Sequence, residues 1–229
     1  MEINEKSLSI RDRATYWTKS NGVLPAMKLN HEEESIIPYI RAMFDAGVRV
    51  VEVTMTTPGV LRHFEAMRKE FGDEIFPAAG TTLDAAAARD AVLAGARVIV
   101  APAMIPAVIE TAHRYGAACF IGAFTATEVL AAMMAGADMV KIFPAAVGGP
   151  KYMTNLKMVY PEVSLVPSGG LNLENAGEFI RCGASAISGA RNFFDYEKVK
   201  AHGLPWITEQ CKKYMRIVAE ARASMLPLP

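Results

Sequence analysis

From about residue 22 onward, short β-branched runs alternate with longer segments whose apolar residues recur at helical spacing, the pattern of βαβ units around a parallel sheet. Strands are predicted near 23–28, 49–54, 75–79, 97–101, 117–121, 138–143, 164–167 and 185–188. Helices are predicted near 31–46, 59–72, 83–94, 105–115, 125–135, 150–159, 172–182 and 195–222, with Asp84, Thr125 and Asn172 placed as capping residues. An Ala-Gly or Cys-Gly pair recurs ahead of strands at Ala46-Gly47, Ala94-Gly95, Ala135-Gly136 and Cys182-Gly183. A glycine there takes the left-handed conformation that ends a helix and drops the chain into the next strand.

Eight strand–helix pairs predict a (β/α)8 TIM barrel, with segment 7–20 as an extra N-terminal helix over its bottom. The rival is an open doubly wound sheet. It would carry a glycine-rich turn after its first strand, where this chain reads Lys28-Leu29-Asn30-His31. One barrel domain over 1–229 is therefore expected, with 1–21 as a helical extension and 195–229 as a C-terminal helix and tail. The composition, 52% hydrophobic and 21% charged over 229 residues, suits a globular chain of that size. With 24 basic and 24 acidic residues there is no bulk field to draw nucleic acid or an anionic membrane, so the expected partner is a small molecule. Cys119, Cys182 and Cys211 are too few and too scattered for a disulfide framework or a zinc site, which favours a reducing cytoplasm. The stretch Met1-Glu2-Ile3-Asn4-Glu5-Lys6 has no apolar signal core and no segment reaches the length of a membrane span, so no export or anchoring is expected.

Barrel chemistry collects at the C-terminal ends of the strands. Reading those ends in order gives Lys28, then Glu52 with Thr54 and Thr56, Thr81, Pro102, Lys141 with Phe143, Ser168-Gly169-Gly170, and Arg191. Lys141 stands inside Met139-Val140-Lys141-Ile142-Phe143, a run that reads as a buried strand. Withdrawal from water disfavours an ammonium, and the neutral amine is the nucleophile that condenses with a ketone. Glu52 alternates with Val51 and Val53, which turns it into the barrel toward Lys141 as the available cation. Two structural readings stand beside this one: a strand-end lysine reaching for solvent, and a buried ion pair with no chemistry. Ser168-Gly169-Gly170 is expected to open a helix and present N–H groups to an anion, with Arg191 as the opposite jaw. Gly148-Gly149-Pro150-Lys151 reads as a loop or as part of that cradle. His31, His63, His113 and His202 have no metal-ligand spacing, and no metal or cofactor is expected. Thirteen methionines, Met104 and Met133-Met134 among them, read as core filler.

Four collinear segments, Val51-Glu52-Val53-Thr54, Ala79-Gly80-Thr81-Thr82-Leu83, Lys141-Ile142-Phe143-Pro144-Ala145 and Pro167-Ser168-Gly169-Gly170-Leu171-Asn172, resemble the 2-keto-3-deoxy-6-phosphogluconate aldolase/4-hydroxy-2-oxoglutarate aldolase family. The resemblance spans roughly residues 22–192. It implies a metal-free class I aldolase on a (β/α)8 barrel, assembled as a homotrimer, that cleaves a 2-keto acid to pyruvate and an aldehyde. By position it makes Lys141 the Schiff-base lysine and Glu52 the general acid/base, with Thr81 on the pyruvyl carboxylate and Ser168-Gly169-Gly170 on a distal phosphate. The chain departs from the family where many members carry an arginine, here Thr56, and in the strand-eight turn, here Ala190-Arg191 in place of Gly-Ser. Two other readings remain: a phosphate-binding barrel isomerase or synthase that forms no imine, and a non-catalytic sugar-acid binder.

Overall fold

The structure, a computed structural model, describes residues 5–225; the predicted extension and tail run beyond it at 1–4 and 226–229. Its strands are β1 (Val23–Met27), β2 (Val50–Thr54), β3 (Phe76–Gly80), β4 (Val98–Val100), β5 (Ala118–Ala123), β6 (Met139–Ile142), β7 (Leu165–Pro167) and β8 (Ile187–Gly189). All pair in parallel with their sequence neighbours up to β7, and β8 returns to β1 with Val23 opposite Ile187 and Pro25 opposite Gly189. The seam between β7 and β8 is bridged by Leu165 with Ala184 and Ser168 with Ser188, so the sheet curls into a nearly closed barrel. This is the predicted (β/α)8 architecture.

Side chains alternate between two apolar layers along each strand. Val51, Val53, Ile99, Ile121 and Val140 face outward and pack under the helices. Leu24, Val50, Phe76, Val98, Val100, Phe120, Met139 and Val166 face inward and fill the barrel. The predicted N-terminal helix, α1 (Ile10–Asn21), closes the bottom: Ala14 is fully buried, and Ile10 and Trp17 pack on the interior cluster. Its start is capped by Ser9, whose hydroxyl accepts the Asp12 N–H at 3.1 Å. The same inward alternation that buries Val50 and Met139 carries Glu52 and Lys141 to the opposite, upper end.

The outer ring comprises α2 (Ile37–Asp45), α3 (Val60–Phe71), α4 (Ala85–Leu93), α5 (Pro106–Arg114), α6 (Ala126–Met134), α7 (Ala145–Val159), α8 (Ala176–Arg181), α9 (Tyr196–His202) and α10 (Pro205–Ala223). Several differ from expectation in their bounds. The first begins at Ile37 rather than near 31, because Pro38 belongs in a first turn and leaves Glu32-Glu33-Glu34-Ser35 in the loop. The segment 195–222 is two helices, since Gly203 (φ 75°) ends α9 and Pro205 starts α10. In α7 the backbone leaves helical geometry at Gly149 (φ 67°), so a short turn from Ala145 is joined through this kink to the helical stretch predicted from Pro150, and none of Gly148-Gly149-Pro150-Lys151 lines the cleft at the strand ends. Met133 packs on the core as expected, whereas Met134 is 81% exposed and fills nothing. Among the described residues no helix is long and apolar enough to cross a membrane.

The cap predicted at Thr125 is a full capping box. Thr125 Oγ1 accepts the Glu128 N–H at 3.3 Å, while Glu128 Oε2 accepts the N–H groups of Phe124 and Thr125 at 2.9 and 2.8 Å. These bonds to backbone N–H groups hold the Glu128 carboxyl below its ordinary range. Its contribution is therefore complete above the unfolded-state range and is lost as pH falls through the depressed value. In urea denaturation, Glu128→Gln is expected to cost about 0.5 kcal/mol at neutral pH, and the difference from wild type should vanish in acid.

Candidate active site

A cleft of about 480 Å³ opens at the C-terminal ends of the strands, lined by Lys28, Glu52, Thr54, Thr81, Pro102, Lys141, Phe143, Ser168, Gly169, Gly170 and Arg191. At its floor Lys141 Nζ lies 3.5 Å from Glu52 Oε2, with side-chain exposures of 11% and 3%. The two come from opposite parts of the barrel. Glu52 is fixed in the middle of β2, in register with Ala26 on one side and Ala78 on the other. Lys141 on β6 is in register with Gly122 and Val166. The inward positions around this pair are small: Ala26 borders the cleft, the room at Gly80 is taken by the Glu52 side chain and that at Gly122 by the chain at Pro102-Ala103, whereas Phe76 and Phe120 fill the strands lower down.

The rim is shaped by the loops. A Cβ on Gly122 would stand 2.1 Å from the Pro102 carbonyl carbon, so the absence of a side chain lets the chain after β4 cross directly over the cleft. Thr81 follows β3 with φ 57°, a left-handed conformation that a β-branched residue adopts at a cost of roughly 1–3 kcal/mol. Phe143 is 42% exposed, its ring edge within 3.0 Å of where a Gly169 Cβ would be. The cleft carries three cationic side chains, Lys28, Lys141 and Arg191, against the single carboxylate of Glu52.

Ser168-Gly169-Gly170 reaches the rim as expected but does not open a helix. α8 starts only at Ala176, because Asn172 Oδ1 takes the Glu174 and Asn175 N–H groups at 2.9 and 3.0 Å in a turn of its own. What remains for an anion is the loop backbone: the N–H groups of Gly170 and Leu171 have no hydrogen-bond partner among the described residues. Thr56 does not line the cleft. It is exposed, and its hydroxyl meets Thr54 Oγ1 at 2.9 Å, so Thr54 is the threonine of β2 that faces the cavity. Sequence reasoning also missed Asn192, which lines the rim and ties the last two βα loops together by donating to the Leu171 carbonyl at 2.6 Å. Its one signal was position, next to Arg191.

The histidines stand apart from Lys141. His31 is in the loop after β1 rather than on a helix, packed on Tyr196 with ring centroids 4.3 Å apart. His63 is buried, which holds its imidazole below the ordinary range, and His113 meets Asp138 at 3.1 Å. Among the described residues no group of three or more His, Cys, Asp or Glu is placed to hold a metal ion.

The profile of the family described as KDPG and KHG aldolase matches residues 16–210. A 2-dehydro-3-deoxy-phosphogluconate aldolase of Treponema pallidum is 33% identical over 188 residues, 78% of this chain and 89% of the relative. A 2-dehydro-3-deoxy-6-phosphogalactonate aldolase of Escherichia coli is 32% identical over 66% of this chain and 75% of its own length. Among solved structures, the KDPG aldolase of Legionella pneumophila, with pyruvate captured at low pH as a covalent carbinolamine intermediate, superposes with a TM-score of 0.79 at 27% identity, covering 87% of this chain and 96% of that one. The fold, the collinear motifs and a profile match over most of the chain agree: the protein belongs to the KDPG and KHG aldolase family and is a carbon–carbon lyase.

Proposed function

We propose that this protein is a class I aldolase that cleaves a 2-keto-3-deoxy sugar acid, 2-keto-3-deoxy-6-phosphogluconate or a close relative, and 4-hydroxy-2-oxoglutarate as a shorter alternative. The observation that carries the reading is Lys141 Nζ at 3.5 Å from Glu52 Oε2 on the floor of the cleft. The free amine of Lys141 attacks the C2 ketone to give a carbinolamine, and loss of water leaves an iminium that draws electrons from C3. Glu52 moves the protons: it assists the dehydration and, directly or through one water, accepts the C4 hydroxyl proton as the C3–C4 bond breaks. The aldehyde leaves, the enamine is protonated at C3, and hydrolysis returns pyruvate and the lysine. Pyruvate bound covalently as a carbinolamine in the similar Legionella pneumophila enzyme supports this course.

The excess of cationic side chains favours a ligand with two anionic ends. The 2-oxo acid carboxylate lies near Thr81 and Thr54. The distal phosphate or carboxylate lies between the Gly169-Gly170 backbone and Arg191, whose planar fork suits either anion. A homotrimer is part of the proposal, supported by apolar side chains left bare on α6 and α7: Met134 at 81% exposure, Met158 at 77% and Val147 at 73%. A cytoplasmic setting accords with three free thiols.

Borohydride added with pyruvate is expected to leave a covalent adduct on Lys141, read by peptide mass spectrometry, and to leave Lys141→Ala unmodified. Equal labelling of the two proteins sinks the imine, and full turnover by Lys141→Arg would favour an isomerase or synthase instead. Glu52→Gln should lower kcat roughly 10²–10⁴-fold in a pyruvate-release assay. Arg191→Ala should raise KM about tenfold or more for a phosphorylated substrate, the loss of one charge-assisted bond, with pyruvate trapping unchanged. Thr81→Gly removes both the hydroxyl and the left-handed strain, so it should weaken substrate binding without lowering Tm.

A further inference from the structure

Gly80 ends β3 with its α-carbon turned toward Glu52. A Cβ placed there would stand 2.1 Å from Glu52 Oε1, 2.6 Å from its Cγ and 2.7 Å from its Cδ. The glycine is not called for by its backbone: it lies in the strand, paired with Thr54, and has none of the positive φ that marks twelve other glycines of the chain. Its lack of a side chain therefore answers a need for space, and the space belongs to the carboxylate.

Neither partner can yield through its main chain. The Gly80 carbonyl accepts the Met55 N–H at 2.7 Å, and β2 is held through Glu52 by its registers with β1 and β3. A methyl group at position 80 would have to turn the Glu52 side chain to another rotamer, away from the place where it meets Lys141. Gly122 offers a contrast, since the atoms nearest a Cβ there are backbone atoms of Pro102 and Ala103.

We infer that Gly80 is a positioning residue: the missing side chain admits the Glu52 carboxylate to the one site from which it serves Lys141 and the substrate. This rests on the proton-transfer role given to Glu52 above. Gly80→Ala is expected to lower kcat on the order of 10²-fold, the scale of an ångström's misplacement of a reacting group, with KM little changed. Pyruvate is still trapped on Lys141 at long incubation.

A double-mutant cycle separates this from a general packing defect. In a Glu52→Ala background the atoms that the new methyl would meet are gone. Gly80→Ala should then cost neither Tm nor residual turnover, although it lowers both in wild type. Equal losses in the two backgrounds overturn the inference. If Gly80→Ala alone fails to fold, a folded Gly80→Ala/Glu52→Ala double variant is the same steric result, and failure of both overturns it. Wild type left unmodified by pyruvate and borohydride overturns the functional reading instead, and the Tm cycle, which needs no turnover, still decides the steric claim.

Discussion

The ion pair of Glu52 and Lys141 is set above barrel layers filled by apolar side chains, and the upper half of the structure is arranged around it. Such a pair is a poor device for stability. Desolvating two charges offsets most of their attraction, and apolar side chains of similar volume commonly serve as well or better. This barrel has that alternative at hand, since Val100, Phe120 and Met139 fill the layers below without a polar atom. At 3.5 Å the contact is also longer than the roughly 2.7–2.9 Å of a tight charge-assisted bond. Neither group is saturated by the other, and both border the cleft, so each keeps capacity for a third party.

Around that pair the barrel is graded in size. Large side chains fill its lower part, where Ala14, Ile10 and Trp17 of α1 seal the end, and in the upper part Ala26, Ala78, Gly80 and Gly122 make room for the Glu52 side chain, the chain at Pro102-Ala103 and the cleft. One strand period thus does two opposed jobs: Val50 and Glu52 are two residues apart on one face, the first in the sealed core and the second in the cavity. The rigid part of the site is built on strands and its variable part on loops, the division expected when precise geometry and changeable specificity must coexist on one fold.

The sequence made the barrel legible because each strand reads as an apolar run of the right length and each helix has its own period and stop. Lys141 and Glu52 stood out for the same reason, as charges where the pattern demanded apolar residues. The misreadings came from backbone details. Helical spacing carried on through Glu32-Glu33-Glu34 although Pro38 sets the true start, and the Gly203–Pro205 break was passed over in a long amphipathic run. Thr56 was placed in the site by counting from the strand end, but β2 stops at Thr54, and the turn that follows sends Thr56 to the surface. The absent side chain of Gly80 carried no periodic signal at all, since a glycine that makes room looks in sequence like any other.

Lys28 and Arg191 close the account of the charges. They follow β1 and β8, neighbours in the sheet, and the register of Pro25 with Gly189 brings them to the rim at nearly the same height. Neither makes an ion pair among the described residues, although Asp195 and Glu197 line the neighbouring pocket beside them. Both are exposed on loops that follow their strands, and an anionic ligand end placed between them would meet two positive charges at once. Under the proposed function the ligand is then gripped by unlike means at its two ends, a covalent bond at depth and a charge contact at the surface. Energy gained at the outer end is available to hold C2 against the amine, which is how binding remote from the reacting atoms becomes rate.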